Sequence, residues 1–184
     1  MATSWQATLA AGKVLVIDGG MGTELQRRGV PMDEVAWSGT AVLSHPEVVR
    51  AVHEDYIRAG ADVIITNTFG STRQMLGGAG FGAQVEEVHR RAVALAKEAR
   101  AATIDRVAIA GSLSPSPPGF DRHAYPPPEE ELAVYRESAQ LLANSGVDLI
   151  ALERLEDTTH APLAMRAALE TGLLQIVDQA MARE

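Results

Sequence analysis

The chain has 184 residues, of which 46% are hydrophobic and 22% are charged. This composition is that of an ordinary globular protein, and the length suffices for one domain with a sizeable core. The formal net charge of −8 argues against nucleic acid and anionic membrane surfaces as partners, because both would repel an acidic protein. The absence of cysteine excludes disulfides, thiolate nucleophiles and metal sites built on sulfur.

The chain contains neither a membrane-span pattern nor a secretion-signal pattern. No stretch approaches the roughly 18 consecutive apolar residues that a membrane span requires. The N-terminal sequence MATSWQATLAAGK lacks a basic start followed by a long apolar run, so it does not resemble a signal peptide. We therefore expect a cytoplasmic protein without a membrane partner.

Short apolar segments alternate with helical patterns along the chain. Four runs without polar alternation predict strands that are buried on both faces of a parallel sheet: Val14–Asp18, Asp62–Thr66, Arg106–Ala110 and Asp148–Leu152. Apolar spacing and end signals predict four helices: Pro46–Ala59, Gln84–Ala102, Glu129–Asn144 and about Thr159 to Glu170. Leu174–Val177 is a candidate fifth strand, and the residues after it have the pattern of a short helical end.

Strands that alternate with helices predict βα units, and therefore an α/β fold with a parallel sheet. Two arrangements are consistent with this pattern, a doubly wound sheet and a (β/α)8 TIM barrel. Four βα units would form about half of a barrel, since a complete one takes roughly 250 residues. We expect residues 1–12 to be an N-terminal extension and residues 13–184 to form one partial barrel domain.

A glycine-rich loop, DGGMGT at residues 18–23, follows the first predicted strand. It has three possible roles. Asp18 can cap backbone N–H groups of a tight turn. The loop can hold a phosphate, although it lacks the Lys-Ser/Thr pair of a P-loop, and the G-x-G-x-x-G spacing fails at Leu25. Asp18 can also bind the ammonium group of a ligand at the carboxyl end of its strand.

Polar residues follow the second and fourth predicted strands. Asn67 and Thr68 either satisfy the loop backbone or bind a substrate. Glu153 directly follows the apolar run DLIAL, where it either caps a helix, pairs with Arg154 or binds a ligand. In a barrel, Asp18 and Glu153 would face each other across the mouth, a placement that suits an amino-acid ammonium group.

The histidines do not predict a metal site. The chain has five of them, and none shows ligand spacing such as H-x-x-x-H: His45, His53, His89, His123 and His160. Two of these histidines, His53 and His89, fall in predicted helices, where we expect them at the surface or between helices.

Taken together in order, the loops resemble one family. The segments are VLVIDGGMGTELQRRGV, a tryptophan at Trp37, LSHPEVVRAVHEDYIRAGADVIITNTFGST, Arg106–Pro115, and YRESAQLLANSGVDLIALERLEDT. They resemble the homocysteine S-methyltransferase family, which includes betaine-homocysteine methyltransferase, S-methylmethionine-dependent enzymes and the homocysteine-binding module of cobalamin-dependent methionine synthase. The NTFGST form is most similar to the methionine-synthase version, and the resemblance spans about residues 13 to 172.

The resemblance implies a TIM barrel that transfers a methyl group to the thiolate of homocysteine and so makes methionine. By position in the motifs, Asp18 and Glu153 would help to bind homocysteine or a similar small amino acid. Asn67 and Thr68 match polar residues at the barrel mouth. Trp37 lies near the place where betaine enzymes carry a contact to the methyl donor.

The family's zinc site is missing from this chain. In the family, zinc lowers the pKa of the substrate thiol and is held by cysteines, one after strand six and a Cys-Cys pair after strand eight. This chain has no cysteine. We therefore expect no bound zinc and no methyl transfer by this chain alone, as in a truncated enzyme.

Two further hypotheses compete with a methyltransferase. One is a non-catalytic or partner-dependent protein whose open sheet edges are covered by self-association, giving a homo-oligomer, or by a separate C-terminal half. The other is a nucleotide-binding α/β protein. It is disfavoured because the second strand ends in Thr66-Asn67 and lacks the acidic ribose-binding residue of a dinucleotide fold.

Overall fold

The computed structural model describes residues 5–103, 107–121, 123–155 and 158–177. The strands of the sheet are β1 (Val63–Ile65), β2 (Ala108–Leu113), β3 (Leu149–Leu152) and β4 (Leu174–Val177). The α-helices are α1 (Trp5–Ala10), α2 (Met21–Arg27), α3 (Ala41–Ser44), α4 (Pro46–Arg58), α5 (Arg73–Gly78), α6 (Val85–Ala101), α7 (Pro128–Ser145) and α8 (Ala161–Glu170). Short 3-10 helices lie at Gly82–Gln84 and Pro118–Phe120.

The sheet has the strand order of a barrel sector. All its strands are parallel and lie in chain order, β1-β2-β3-β4. A doubly wound sheet would reverse its order at a switch point, and no reversal occurs among the described strands. Helix α4 packs against α6, α6 against α7, and α7 against α8, forming an outer layer. The prediction of parallel (β/α) units that form part of a TIM barrel is confirmed.

Two aspartates fix the register of neighbouring strands. Asp62 immediately precedes β1, and its Oδ2 accepts a hydrogen bond of 2.9 Å from the Val16 N–H. Asp148 immediately precedes β3, and its Oδ2 accepts one of 2.8 Å from the Ile109 N–H in β2. Arg100 also donates to Asp148, at 2.8 Å. Asp62 thus joins the start of β1 to the segment around Val16, and Asp148 joins the start of β3 to β2.

The predicted first strand, Val14–Asp18, forms only an edge contact with the sheet. Its one bridge joins Ile17 to Val63 in β1. Val14, Val16 and Ile17 are 86%, 55% and 49% exposed. The prediction of a buried strand is wrong here, because this segment has a neighbouring strand on one side only within the described ranges.

The other predicted strands are present with shifted ends. β2 continues to Leu113, beyond the predicted end at Ala110, and Arg106 lies outside the described residues. β4 confirms the candidate fifth strand, whereas the predicted helical end after Val177 is outside the described residues.

The four predicted helices are all present, with ends shifted by no more than two residues. The short helices α1, α3 and α5 were not predicted, because four to six residues are too few to show a helical period. Within the described part of the chain, no helix is both long enough and apolar enough to cross a bilayer.

The two faces of the sheet carry different side chains. The outer face, which packs against the helices, includes the fully buried Ile64, Ile109 and Ile150. The inner face carries Val63 of β1, Ala108 and Ala110 of β2, and Leu149 of β3, and Trp5 of α1 packs against it. Successive residues of a strand point to opposite faces, which explains this division.

His53 is a buried histidine that stays neutral. It lies on α4, has no exposed surface, and neither ring nitrogen has a hydrogen-bond partner among the described residues. Burial lowers the pKa of His53 from 6.5 to about 4. The His53 ring therefore binds a proton more readily in the unfolded chain than in the folded chain. The neutral state stabilises the fold above pH 6.5, and that stability is lost as the pH falls toward 4.

We expect His53→Leu to reduce the acid sensitivity of folding. Lowering the pKa of His53 from 6.5 to about 4 corresponds to roughly 3 kcal/mol of folding stability. The wild type loses this stability as the pH falls from 6.5 toward 4. Urea unfolding at about pH 7.5 and about pH 4.5 measures the difference. His123→Leu, at an exposed histidine, is the control and should behave like the wild type. An unchanged pH dependence in His53→Leu would contradict the interpretation.

Candidate functional site

The carboxyl ends of the strands border a cavity of about 600 Å³. Its lining comes from the loops that follow the strands and from the loop around Trp37: residues 17–22, 37–38, 65–67, 69, 151–153 and 176–177. In (β/α) barrels this is the face on which active sites are found. Four of the five predicted site residues line this cavity: Asp18, Trp37, Asn67 and Glu153.

Asp18 has one carboxyl oxygen that is bonded and one that is not. Oδ2 accepts from the Ile65 N–H at 2.9 Å, so the side chain caps strand β1 and not its own glycine loop. Oδ1 is buried and has no hydrogen-bond partner in the described structure. Burial, together with repulsion from Glu153, raises the pKa of Asp18 to about 7. Asp18 is therefore an acceptor that a cationic ligand group would stabilise in its charged form.

Glu153 is fixed at the end of β3 by two bonds. Its backbone N–H donates to the Leu113 carbonyl at 3.1 Å. Its side-chain Oε2 accepts a hydrogen bond from the hydroxyl of Ser112, on β2. Its charge is also one of the causes of the raised pKa of Asp18, so the two carboxyl groups share one electrostatic environment.

Asn67 joins two walls of the cavity. Its Oδ1 accepts from the Ser38 hydroxyl at 3.0 Å, and its Nδ2 donates to the Ser38 carbonyl at 2.8 Å. Both residues are buried, and both line the cavity. The amide therefore attaches the loop around Trp37 to the end of β1.

Thr68 lies outside the cavity lining, unlike the other predicted site residues. It is buried, and its hydroxyl donates to the Ser112 carbonyl at 2.8 Å. The same hydroxyl lies 2.9 Å from that of Thr66. The structure therefore places Thr68 among bonds that hold two strand ends together.

Three aromatic rings cluster beside the cavity. Trp37 meets Phe69 and Phe120 edge-on, with ring centroids 6.0 and 6.5 Å apart. The guanidinium of Arg154 lies 5.4 Å from the centre of the Phe120 ring. Trp37, Phe120 and Arg154 are the non-glycine residues with positive φ in the described ranges, at 50°, 58° and 61°. Backbone in this region is strained and often accompanies a binding function.

The loops that carry Trp37 and Asn67 touch through their backbones. A Cβ at Gly70 would lie 2.2 Å from the Ala36 carbonyl oxygen, so only glycine fits there. A Cβ at Gly22 would lie 2.6 Å from the Trp37 ring. These contacts bring the glycine loop, the Trp37 loop and the end of β1 into one continuous wall.

Sequence reasoning missed three residues of this region, Ser38, Ser112 and Phe120. Ser112 is a polar residue at an inner-facing position of an otherwise apolar strand, and that position is a usable signal. Ser38 and Phe120 carry no such signal, because their roles depend on the path of loops between distant elements.

The cavity does not fit the zinc ion that the family resemblance implies. Zinc sites of that kind use thiolates, and the chain has no cysteine. Across the described ranges, no three His, Cys, Asp or Glu side chains lie together in a way that would hold a metal. The pair formed by Asp18 and Glu153 suits a positively charged organic group.

Two curated proteins similar to this chain are named methyltransferases. Selenocysteine methyltransferase of Astragalus bisulcatus is 35% identical over a 179-residue alignment, and the match covers 82% of this chain and 53% of that protein. Homocysteine S-methyltransferase 4 of Zea mays is 34% identical over a 183-residue alignment, and the match covers 89% of this chain and 54% of that protein. The chain thus spans about half the length of the curated relatives it matches.

Solved structures agree with the sequence comparison. The metallated form of the homocysteine methyltransferase MmuM from Escherichia coli superposes with a TM-score of 0.79 at 28% identity, covering 94% of this chain and 64% of that one. Its oxidised form gives a TM-score of 0.83 at 27% identity, covering 98% and 67%. The sequence also matches the homocysteine S-methyltransferase family model over residues 15–181, and the chain therefore belongs to the homocysteine S-methyltransferase family.

Proposed function

We propose that the cavity binds homocysteine or a similar small amino acid, as the amino-acid-binding part of a methyltransferase that converts homocysteine to methionine. The observation that carries the proposal is the pair of carboxyl groups, Asp18 and Glu153, at one cavity on the carboxyl face of the sheet. An ammonium group has three donors and no acceptor, so it matches two carboxylates. The buried Oδ1 of Asp18 would gain the partner that it lacks.

The apolar part of the lining suits the remainder of such a ligand. Met21, Leu152 and Ile176 line the same cavity as the carboxylates. An amino acid with a short sulfur-bearing side chain would place its polar end at Asp18 and Glu153 and its side chain against these residues. Selenocysteine has the same ammonium group, and one relative is named a selenocysteine methyltransferase.

We expect Asp18→Asn and Glu153→Gln each to weaken binding of L-homocysteine by about tenfold or more, as expected for one hydrogen bond to a charged group. Wild-type affinity should rise as the pH increases through 7, because Asp18 loses its proton there and the charged form binds the ammonium group. Asp18→Asn should remove most of that pH dependence. Isothermal titration calorimetry from about pH 6 to about pH 8 measures both effects.

Glu98→Gln is the matched control for these variants. It neutralises an exposed glutamate on α6, away from the cavity, and should leave the affinity unchanged. The proposal fails if the wild-type chain does not bind homocysteine, or if Asp18→Asn and Glu153→Gln both bind it as the wild type does.

We infer that this 184-residue chain alone neither binds zinc at stoichiometric levels nor forms methionine. The inference is supported by the absence of cysteine and of a clustered ligand set among the described residues. A thiol of ordinary pKa near 8.5 is mostly protonated at neutral pH and reacts poorly as a nucleophile. Elemental analysis of the purified chain, with a methionine assay using S-methylmethionine as donor, tests this. One zinc per chain together with methionine formation would refute it.

A second proposal is that the chain self-associates or binds a C-terminal half of the family barrel. It is favoured by apolar residues at both edges of the described sheet: Val14 is 86% exposed, Val16 55%, Leu174 58% and Val177 46%. Proteins normally cover such edges.

Sedimentation velocity should therefore show a dimer or a larger assembly of the wild-type chain. Val14→Lys should shift the distribution toward monomer, because a charged edge residue opposes strand pairing. Glu98→Lys is the control, since it places the same charged side chain on the exposed side of α6, a helix that packs against the inner strand β2. A stable wild-type monomer that binds no hydrophobic dye would count against the proposal.

A further inference from the structure

A closed ring of hydrogen bonds joins the ends of β1 and β2. The Thr68 hydroxyl donates to the Ser112 carbonyl at 2.8 Å, and the Ser112 N–H donates to the Thr66 hydroxyl oxygen at 3.2 Å. The two threonine hydroxyls lie 2.9 Å apart. A hydroxyl has a single hydrogen to donate, and that of Thr68 goes to Ser112, so the Thr66 hydroxyl donates to Thr68.

The ring uses the backbone N–H and carbonyl of Ser112, and the Ser112 hydroxyl takes no part in it. Ser112 is 1% exposed and lies in β2 between the ring and the end of β3. Its hydroxyl donates to Oε2 of Glu153. The backbone N–H of Glu153 is already bonded to Leu113, the residue after Ser112. The glutamate is thus attached to β2 by its main chain and by its side chain.

A glutamate side chain has several rotatable bonds, and ordering it on ligand binding costs conformational entropy. A hydrogen bond that orders the carboxylate beforehand reduces that cost, which is the general advantage of preorganised sites. Ser112 is well suited to this task, because its own position is fixed by two backbone bonds of the ring, one at its N–H and one at its carbonyl.

We propose that Ser112 is a positioning residue that orients the carboxylate of Glu153 toward an amino-acid ligand, and that Thr66 and Thr68 hold Ser112 in place. This inference rests on the proposed function of the cavity. It gives Thr68 a supporting role, since both hydrogens that the threonine hydroxyls can donate are used inside the ring. The contribution of Ser112 to binding then passes through Glu153.

A double-mutant cycle tests this dependence. Ser112→Ala should weaken binding of L-homocysteine by about three- to tenfold, the range expected for one hydrogen bond. The same change in a Glu153→Gln background should have little further effect, because the group that Ser112 orients has lost its charge. Isothermal titration calorimetry supplies the affinities, and thermal unfolding confirms that each variant is folded.

Two further variants make the result specific. Ser114→Ala is the control, since Ser114 is also a buried serine, pairs with Ser116 at 2.8 Å, and does not line the cavity. Its affinity should equal that of the wild type. Thr68→Val keeps the side-chain volume but removes a hydroxyl from the ring. It should weaken binding by about two- to threefold, and only when Glu153 is present.

The outcomes separate this inference from the proposed function. If the wild-type chain binds no homocysteine, the proposed function itself fails. If the wild type binds and folded Ser112→Ala binds equally well, the positioning role is refuted. Equal losses with and without Glu153 would refute it too, since a purely structural role predicts them. If Ser112→Ala does not fold, the same comparison with Thr68→Val decides.

Discussion

Two parallel strands that slip by one residue turn every side chain to the opposite face of the sheet. In this chain the hydrogen bonds that Val16 donates to Asp62 and Ile109 donates to Asp148 oppose such a slip. These bonds lie at the amino ends of the strands, and the register that they set also determines which side chains align at the carboxyl ends. The strand ends align there, so that Asp18 and Glu153 line one cavity.

The cavity contains a carboxyl group, that of Asp18, whose ionisation the fold opposes. Burial and a neighbouring carboxylate both oppose ionisation of Asp18 and raise its pKa to about 7. An isolated buried charge is costly, and a ligand cation would offset that cost. The surrounding hydroxyls and amides, by contrast, are bonded to one another, as in the pairing of Asn67 with Ser38. The polar groups thus divide into those that hold the cavity wall together and the carboxyl group of Asp18, one oxygen of which has no hydrogen-bond partner in the described structure.

Much of this arrangement follows from the sequence. Apolar runs located β1 and β3, and the rule that parallel strands end at one edge was enough to place Asp18 and Glu153 together. The exposure of Val14 was not predictable, because it depends on which strands lie beside it in space. Nor was the role of Thr68, because a hydroxyl that binds a ligand and one that bonds to backbone look identical in sequence. Ser112 required knowing which face of β2 it occupies.

The strand order has a consequence for synthesis on the ribosome. Each of β2, β3 and β4 pairs with the strand that precedes it in the chain. The register bonds span 46 residues for Asp62 and 39 for Asp148, about one βα unit each. A nascent chain can therefore add one unit at a time to a template that is already formed, without waiting for distant sequence. The strands of the described sheet can thus pair in the order in which they are translated.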